Sequence, residues 1–367
     1  MVYIIYGTTG ELIKLIPLIK ELDKKGQCYT VAFAQQQKQL ERFFAAYPFI
    51  PKPNLWLSYG YKGEDLSKMH HTPVWLYKSL KEFSKHKKTI ASQSHGNDIV
   101  LVHGDTFTTV FGAYVARRLK LKLGHIEAGL RSFRIMHPFP EELDRRIVSR
   151  YARVHFAPGD TPIKNLENAK VKGEIINTQM NTVYDSIQFA RTTKPAMAIE
   201  GLPKKYGIIS IHRNELLANK KVFIQTIKTL AEYSKKMPFV FVQHPVTLAR
   251  IKSLGIEDLL KENFIYVPKL DYFSFIKLLD GASFSVTDSG GLQEESAYIN
   301  KPCLVHRMAT ERNEGIDEGI VVLSYYKDEV LREFLNNPER FRSKVAGSPI
   351  SPTKIIVKYL RANGYCN

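Results

Sequence analysis

Short, continuously apolar runs alternate along this chain with stretches whose apolar residues recur at helical spacing, and the series runs through twice. "VYIIYG" precedes "ELIKLIPLIKELDKKG", whose end is marked by Gly26. "YTVAFAQ" leads into "QLERFFAAY", "DIVLVHGD" into "TTVFGAYVARRLKL", "LGHIEAG" into "PEELDRRIVSRYA", and "VHFAP" closes the first series. A strand that is apolar on both faces has no face to offer water. Such runs between helices therefore predict parallel sheets covered on both sides.

The series restarts after "NTVYDSIQFARTTKPAMAIEGLPKK", which reads as a linker region from its proline, glycine and lysine content. The second set runs from "YGIISIH" through "FVFVQHP", "FIYVP", "SFSVTDS" and "PCLVHR" to "GIVVLS", with helical stretches between. The expected fold class is α/β: two doubly wound Rossmann-like domains facing across a cleft. Residues 1–170 form the first domain, 171–350 the second, and 351–367 a C-terminal helix packing back on the first. Ligands of open α/β sheets bind beyond the carboxyl ends of the strands, so the cleft is the expected site.

The length of 367 residues suits two domains. No apolar run approaches the ~20 residues of a membrane span. "MVYIIYGTTGEL" lacks the basic and long apolar regions of a signal peptide and reads as a buried first strand. Cys28, Cys303 and Cys366 show no paired or metal-ligand spacing, and His70 and His71 are adjacent, so no metal site is expected. A cytoplasmic protein away from the membrane is the expectation. The formal charge of +17 suits phosphorylated substrates, nucleic acid or an anionic membrane, but equally a lysine-rich solvated surface. Lysines are interleaved with acids, and no RNA-recognition or helix-turn-helix signature accompanies them, so nucleic acid is not an expected partner.

Polar residues gather where the strands end. "VTDSGGLQEES" runs from a strand through Asp288, Ser289, Gly290 and Gly291 into a helix. Its first-turn amides and dipole suit a phosphate. A plain serine cap worth ~1 kcal/mol explains the stretch alone equally well. "HGDT" puts His103, Asp105 and Thr106 after a strand, and "HIEAGLR" adds His125, Glu127 and Arg131. "HPFPEELDRR" supplies Glu141, Glu142 and Arg145. "SIHRNE" supplies His212, Arg213 and Glu215, "QHP" His244, and "HRMATERNE" Arg307, Glu311 and Arg312. Six such endings describe carboxylates in the first domain and cationic, phosphate-binding groups in the second. They suit a nucleotide-linked substrate on which carboxylates move protons.

"HGDTFTT", "GHIEAGLR", "PFPEELDRR", "NTVYDSI", "HRNE", "TDSGGLQEES" and "TERNE" resemble, in order and spacing, the non-hydrolysing UDP-N-acetylglucosamine 2-epimerases. The likeness runs from Met1 to about Ser324 and implies the two-Rossmann-domain (GT-B-like) architecture. It implies catalytic roles for Asp105, Glu127, Glu141 and His212. By the same likeness Lys14, Arg145, Arg213, His244 and Arg312 contact substrate. Ser289, Gly290 and Gly291 hold the diphosphate, Glu295 the ribose, and Phe275 stacks on uracil. The implied reaction inverts carbon 2 of a UDP-linked 2-acetamido sugar through a 2-acetamidoglucal, with no cofactor. The implied setting is a homodimer serving cell-surface polysaccharide synthesis. A glycosyltransferase or hydrolysing epimerase on the same fold is the alternative, and a basic nucleic-acid-binding protein a more distant one.

The chain departs from the family's motifs at several points. "GTRPExIK" becomes "GTTGELIK" with Thr9 and Gly10, "PEExNR" becomes "PEELDR" with Asp144, and "HRRE" becomes "HRNE" with Asn214. In many bacterial members "QHR" and "GQ" segments help form an allosteric substrate site. Here the regions read "QQQK", with Gln36 for the histidine, and "LSYGYKGEDLSKM". Hyperbolic initial-rate kinetics are therefore expected. A reverse reaction that starts only after a trace of the gluco sugar is added would contradict this.

Overall fold

The computed structural model describes residues 1–59, 64–66, 69–133, 140–310, 312–343 and 350–367. The chain divides into two compact units, Met1–Phe189 with Pro349–Asn367, and Ala190–Ser348. In the first, β1 (Val2–Tyr6), β2 (Cys28–Ala34), β3 (Leu55–Tyr59), β4 (Ile99–His103), β5 (Lys122–Ile126), β6 (Val154–Ala157) and β7 (Glu174–Asn177) form one sheet. Every pairing is parallel, in the order β3-β2-β1-β4-β5-β6-β7. In the second, β8 (Gly207–Ser210), β9 (Phe239–Val242), β10 (Phe264–Val267), β11 (Phe284–Thr287), β12 (Cys303–Val305) and β13 (Val321–Leu323) are also parallel, ordered β10-β9-β8-β11-β12-β13.

Parallel neighbours need a crossover, and helices supply it in both units. The alternation seen in the sequence thus produces a doubly wound, Rossmann-like sheet twice. Each sheet reverses direction of growth next to its first strand, between β1 and β4 and between β8 and β11. Chain leaving such neighbouring strands diverges to opposite faces, which opens a crevice at their carboxyl ends. The strands around these points are buried along their length, and the cores beneath gather Phe33, Trp75 and Phe111 in one unit and Phe223, Phe241 and Phe334 in the other. Burying a side chain of this kind stabilises by roughly 1.5–3 kcal/mol.

The structure departs from the sequence pattern between the two units. The supposed linker begins with a helix, Val183–Thr192, with Val183, Ile187 and Ala190 buried at helical spacing. The Ser186 hydroxyl donates to the Ile13 carbonyl at 2.8 Å. β7 extends the first sheet beyond β6. The division therefore falls at 189/190 rather than 170/171. The C-terminal helix Pro352–Ala362 belongs to the first unit, buries Ile356, Val357 and Leu360, and sets the Tyr359 ring edge-on to Phe156. No helix among the described residues is long and apolar enough to cross a membrane.

Gly7, between β1 and the helix Thr9–Asp23, marks how closely the switch point is packed. A Cβ there would lie 2.1 Å from Thr108 Oγ1 and 2.4 Å from the Phe33 carbonyl oxygen. Gly7→Ala should destabilise the protein by roughly 1–3 kcal/mol in urea unfolding. Gly10→Ala is the control, since a Cβ there meets nothing nearer than Thr8 Oγ1 at 4.0 Å. In a helix it should be neutral or stabilising by up to ~1 kcal/mol.

Candidate active site

The first unit's polar residues assemble around the ends of β1, β4 and β5. Glu11 is the organiser. Its Oε2 accepts the Gly7 amide at 3.0 Å and the Thr8 amide at 2.8 Å, and its Oε1 accepts the Thr106 hydroxyl at 2.7 Å. One buried carboxylate thus ties the helix start to the end of β4. Burial pushes its pKa up, while these donors pull it down.

Glu127 follows β5 in a left-handed conformation, φ 65°, a region that costs a non-glycine residue roughly 1–2 kcal/mol. The turn off β5 sets this backbone, and the carboxylate it carries is ion-paired. Lys14 Nζ lies 2.7 Å from Glu127 Oε2, and His103 Nδ1 lies 3.4 Å from the same oxygen. His103 Nε2 is 3.2 Å from the Thr182 hydroxyl. Strained backbone of this kind clusters at active sites and ligand clamps. Beside it, Gly104 (φ 69°) turns the chain so that Asp105 meets the guanidinium of Arg145. Arg145 comes from the helix Glu141–Tyr151, which also carries the fully buried Glu142, paired with Arg146 Nε at 2.9 Å.

Two groups in this unit are shifted towards the neutral form. His125, fully buried in β5, donates from Nε2 to the Gly104 carbonyl at 2.8 Å, and burial lowers its pKa to about 3. Asp144, 4% exposed, has its pKa raised to about 7 by burial and then by the charges of Asp105 and Glu141, against the pull of Arg145.

The second unit answers the question posed by "TDSGG". Asp288, fully buried, accepts the His212 amide at 3.0 Å and the Arg213 amide at 2.8 Å, clamping the end of β8 to the end of β11. Burial raises the Asp288 pKa and lowers that of His212, whose Nδ1 lies 3.6 Å away. The His212 ring stacks on His244 at 4.3 Å, and His244 Nε2 meets the Ser210 hydroxyl at 3.1 Å. Burial, then the charges of His212 and Lys269, bring the His244 pKa to about 4. Ser289 does cap the helix Gly290–Tyr298, accepting the Leu292 amide at 3.4 Å. A Cβ on Gly291 would meet only Ser289 Oγ, at 3.7 Å, so this glycine leaves room above the helix start. Of the paired glutamates, Glu294 is buried against Arg312 at 3.1 Å, while Glu295 is half-buried. Phe275 is half-buried on the helix Tyr272–Gly281, whereas its neighbour Phe273 is fully buried.

Lys14, Asp105, Glu127, Glu141 and Arg145 therefore belong to the first unit, and His212, Arg213, His244, Phe275, Ser289, Gly290, Gly291, Glu295 and Arg312 to the second. Glu311, residues 134–139 and part of "LSYGYKGEDLSKM" lie outside the described residues. The strand-end motifs assign no role to Glu11, Thr182 or Glu294. Thr8-x-x-Glu11, a capping-box spacing, is the sequence signal that points to Glu11. Nothing local distinguishes Glu294 from Glu295. Among the described residues no group of three or more His, Cys, Asp or Glu could hold a metal ion.

A doubly wound pair of units with strand-end carboxylates in one and a glycine-headed helix in the other defines the class of two-Rossmann-domain, GT-B-like enzymes. Residues 22–346 match the family model for UDP-N-acetylglucosamine 2-epimerase. The Methanococcus maripaludis UDP-N-acetylglucosamine 2-epimerase is 31% identical over 334 residues, covering 88% of this chain and 87% of that one. The UDP-GlcNAc 2-epimerase of Methanocaldococcus jannaschii superposes with a TM-score of 0.79 at 26% identity, over 98% of this chain and 99% of that one. The Neisseria meningitidis enzyme bound to UDP-GlcNAc gives 0.77 at 27%, over 98% and 99%. The chain belongs to the UDP-N-acetylglucosamine 2-epimerase family.

The depressed pKa of His125 has a consequence for stability. Below the unfolded-state value of about 6.5, the unfolded chain takes up a proton that the folded one refuses, so stability falls with acidification. This group alone should remove about 2 kcal/mol between pH 7.5 and 5. His125→Gln keeps a donor but cannot titrate. Its urea-unfolding free energy should vary less over that range than that of the wild type, by about the same amount.

Proposed function

We propose that this protein is a cofactor-independent isomerase that inverts carbon 2 of a UDP-linked 2-acetamido sugar, interconverting UDP-GlcNAc and UDP-ManNAc or a close relative. The observation that carries the reading is Glu127, held in a left-handed conformation between Lys14 and His103 beside the Asp105–Arg145 pair. The family supports it, as does the Neisseria relative bound to UDP-GlcNAc.

One carboxylate of the first unit takes the proton from carbon 2. The bond from carbon 1 to the diphosphate breaks with its electron pair, leaving UDP and 2-acetamidoglucal. A proton returns to carbon 2 from the opposite face, and UDP re-adds at carbon 1. Asp105, Glu127 and Glu141 are the acid–base set, with Lys14 and Arg145 setting its charge. His212 is the catalytic group of the second unit, beside the leaving diphosphate. Arg213, His244 and Arg312 also serve the second unit's substrate site. Ser289, Gly290 and Gly291 hold the diphosphate at a helix N-terminus, Glu295 takes the ribose hydroxyls, and Phe275 stacks on uracil. We assign the protein to the cytoplasm, as a homodimer, in the synthesis of cell-surface polysaccharide.

Incubation with UDP-GlcNAc in D2O, without added metal or NAD, should exchange the carbon-2 hydrogen for deuterium and yield the manno epimer by NMR. UDP release without an epimer would indicate a hydrolase. Neither outcome across a panel of UDP sugars would overturn the reading. Glu127→Gln and Asp105→Asn should abolish turnover with UDP affinity nearly intact, because they keep shape and remove the ionisable group. Glu295→Ala should instead weaken UDP binding by roughly 1–3 kcal/mol in calorimetric titration.

A further inference from the structure

Arg145 is one cation among several carboxyls. Its guanidinium pairs with Asp105, and its Nη1 lies 3.8 Å from Glu142 Oε2. Glu142 is otherwise supplied, by Arg146 Nε at 2.9 Å and the Ser132 amide at 3.0 Å. Asp144 is not. It adjoins Arg145 in the chain, is 4% exposed, and its Oδ2 is enclosed without a hydrogen-bond partner. Glu141 Oε2 is enclosed in the same way.

The charges that bear on Asp144 come from two places. Asp105, at the end of β4, and Glu141, on its own helix, disfavour its ionisation; Arg145, also on its own helix, favours it. Arg146 on that helix is committed to Glu142, and Arg131, after β5, donates to the Ser149 hydroxyl at 3.0 Å. The helix Phe107–Leu119, packed against this one, has Tyr114, Arg117 and Arg118 as its titratable residues, all exposed. Ionising a carboxyl with an enclosed oxygen that has no donor is costly, so its burial favours the neutral form of Asp144. The one cation that favours its ionisation is Arg145.

We propose that Asp144 is a positioning residue for the epimerisation: neutral, it leaves the Arg145 guanidinium to Asp105; ionised, it draws that guanidinium away and releases Asp105. The inference rests on Asp105 being one of the reacting carboxylates. An asparagine, as in "PEExNR", is the permanently neutral form, so this chain carries a pH response that the asparagine form cannot have.

The test compares epimerisation kcat/KM at about pH 6 and about pH 8.5 for the wild type and Asp144→Asn, with Asp144→Ala as a second non-ionising variant. The wild-type value should fall at least about fivefold between the two, and that of either variant less than about twofold. A general loss of packing would scale both values together and leave the ratio alone. Urea unfolding gives a readout independent of turnover. A carboxyl with a raised folded pKa loses stability as pH rises through that value, so the wild type should weaken relative to Asp144→Asn over the same range. Parallel pH profiles in an active wild type and its variants would overturn the inference. A wild type that epimerises no UDP sugar would instead overturn the proposed function and this role with it, while the unfolding comparison would still report whether Asp144 titrates.

Discussion

Two parallel sheets covered on both faces confine ionisable chemistry to the ends of their strands, because a charge placed mid-strand would lose its hydration and find no partner. The exceptions obey the rule. His125 and His155 sit opposite one another in β5 and β6, and burial drives both towards the neutral form. Asp105, Glu127, His212, Arg213 and His244 lie just past a strand, and Lys14, Arg145 and Glu295 lie in the first two turns of a helix. The strand order then decides which ends meet. With β1 beside β4, and β8 beside β11, residues distant in sequence become neighbours at a topological switch point.

The two units use this geometry differently. In the first, carboxylates outnumber their cations locally, and the outcome is competition: Glu127 holds Lys14, Asp105 holds Arg145, and Asp144 lacks a cation of its own. Such crowding makes protonation states depend on neighbours. In the second, the central acid is consumed by structure. Asp288 spends its oxygens on the amides of His212 and Arg213, so its contribution is to hold two strand ends together. The helix Gly290–Tyr298 starts directly beyond it, capped by Ser289.

Glu127 joins fold and chemistry most directly. Its left-handed backbone follows from the turn that carries the chain off β5, and the same turn aims its carboxylate at Lys14 and His103. His103 is in turn placed by Thr182, from the stretch whose composition resembles a linker. That segment is a structural part of the first unit, and its buried face explains why its polar composition misleads.

The amino-acid sequence by itself determined the fold class and the places where polar residues follow the strands. Apolar periodicity is a local property, since each strand or helix declares its buried face within about ten residues. The strand-end motifs are local too, so Asp105, Glu127, Arg145 and Ser289 are legible in the order of the residues alone. The tertiary structure alone decided which of these groups are paired and which are left over. Glu294 rather than Glu295 meets Arg312, Glu11 ties two strand ends, the first unit runs on to Phe189, and Asp144 is shut away beside an arginine already taken. Burial and charge pairing are set by residues far apart in the chain, and a local pattern carries no record of them.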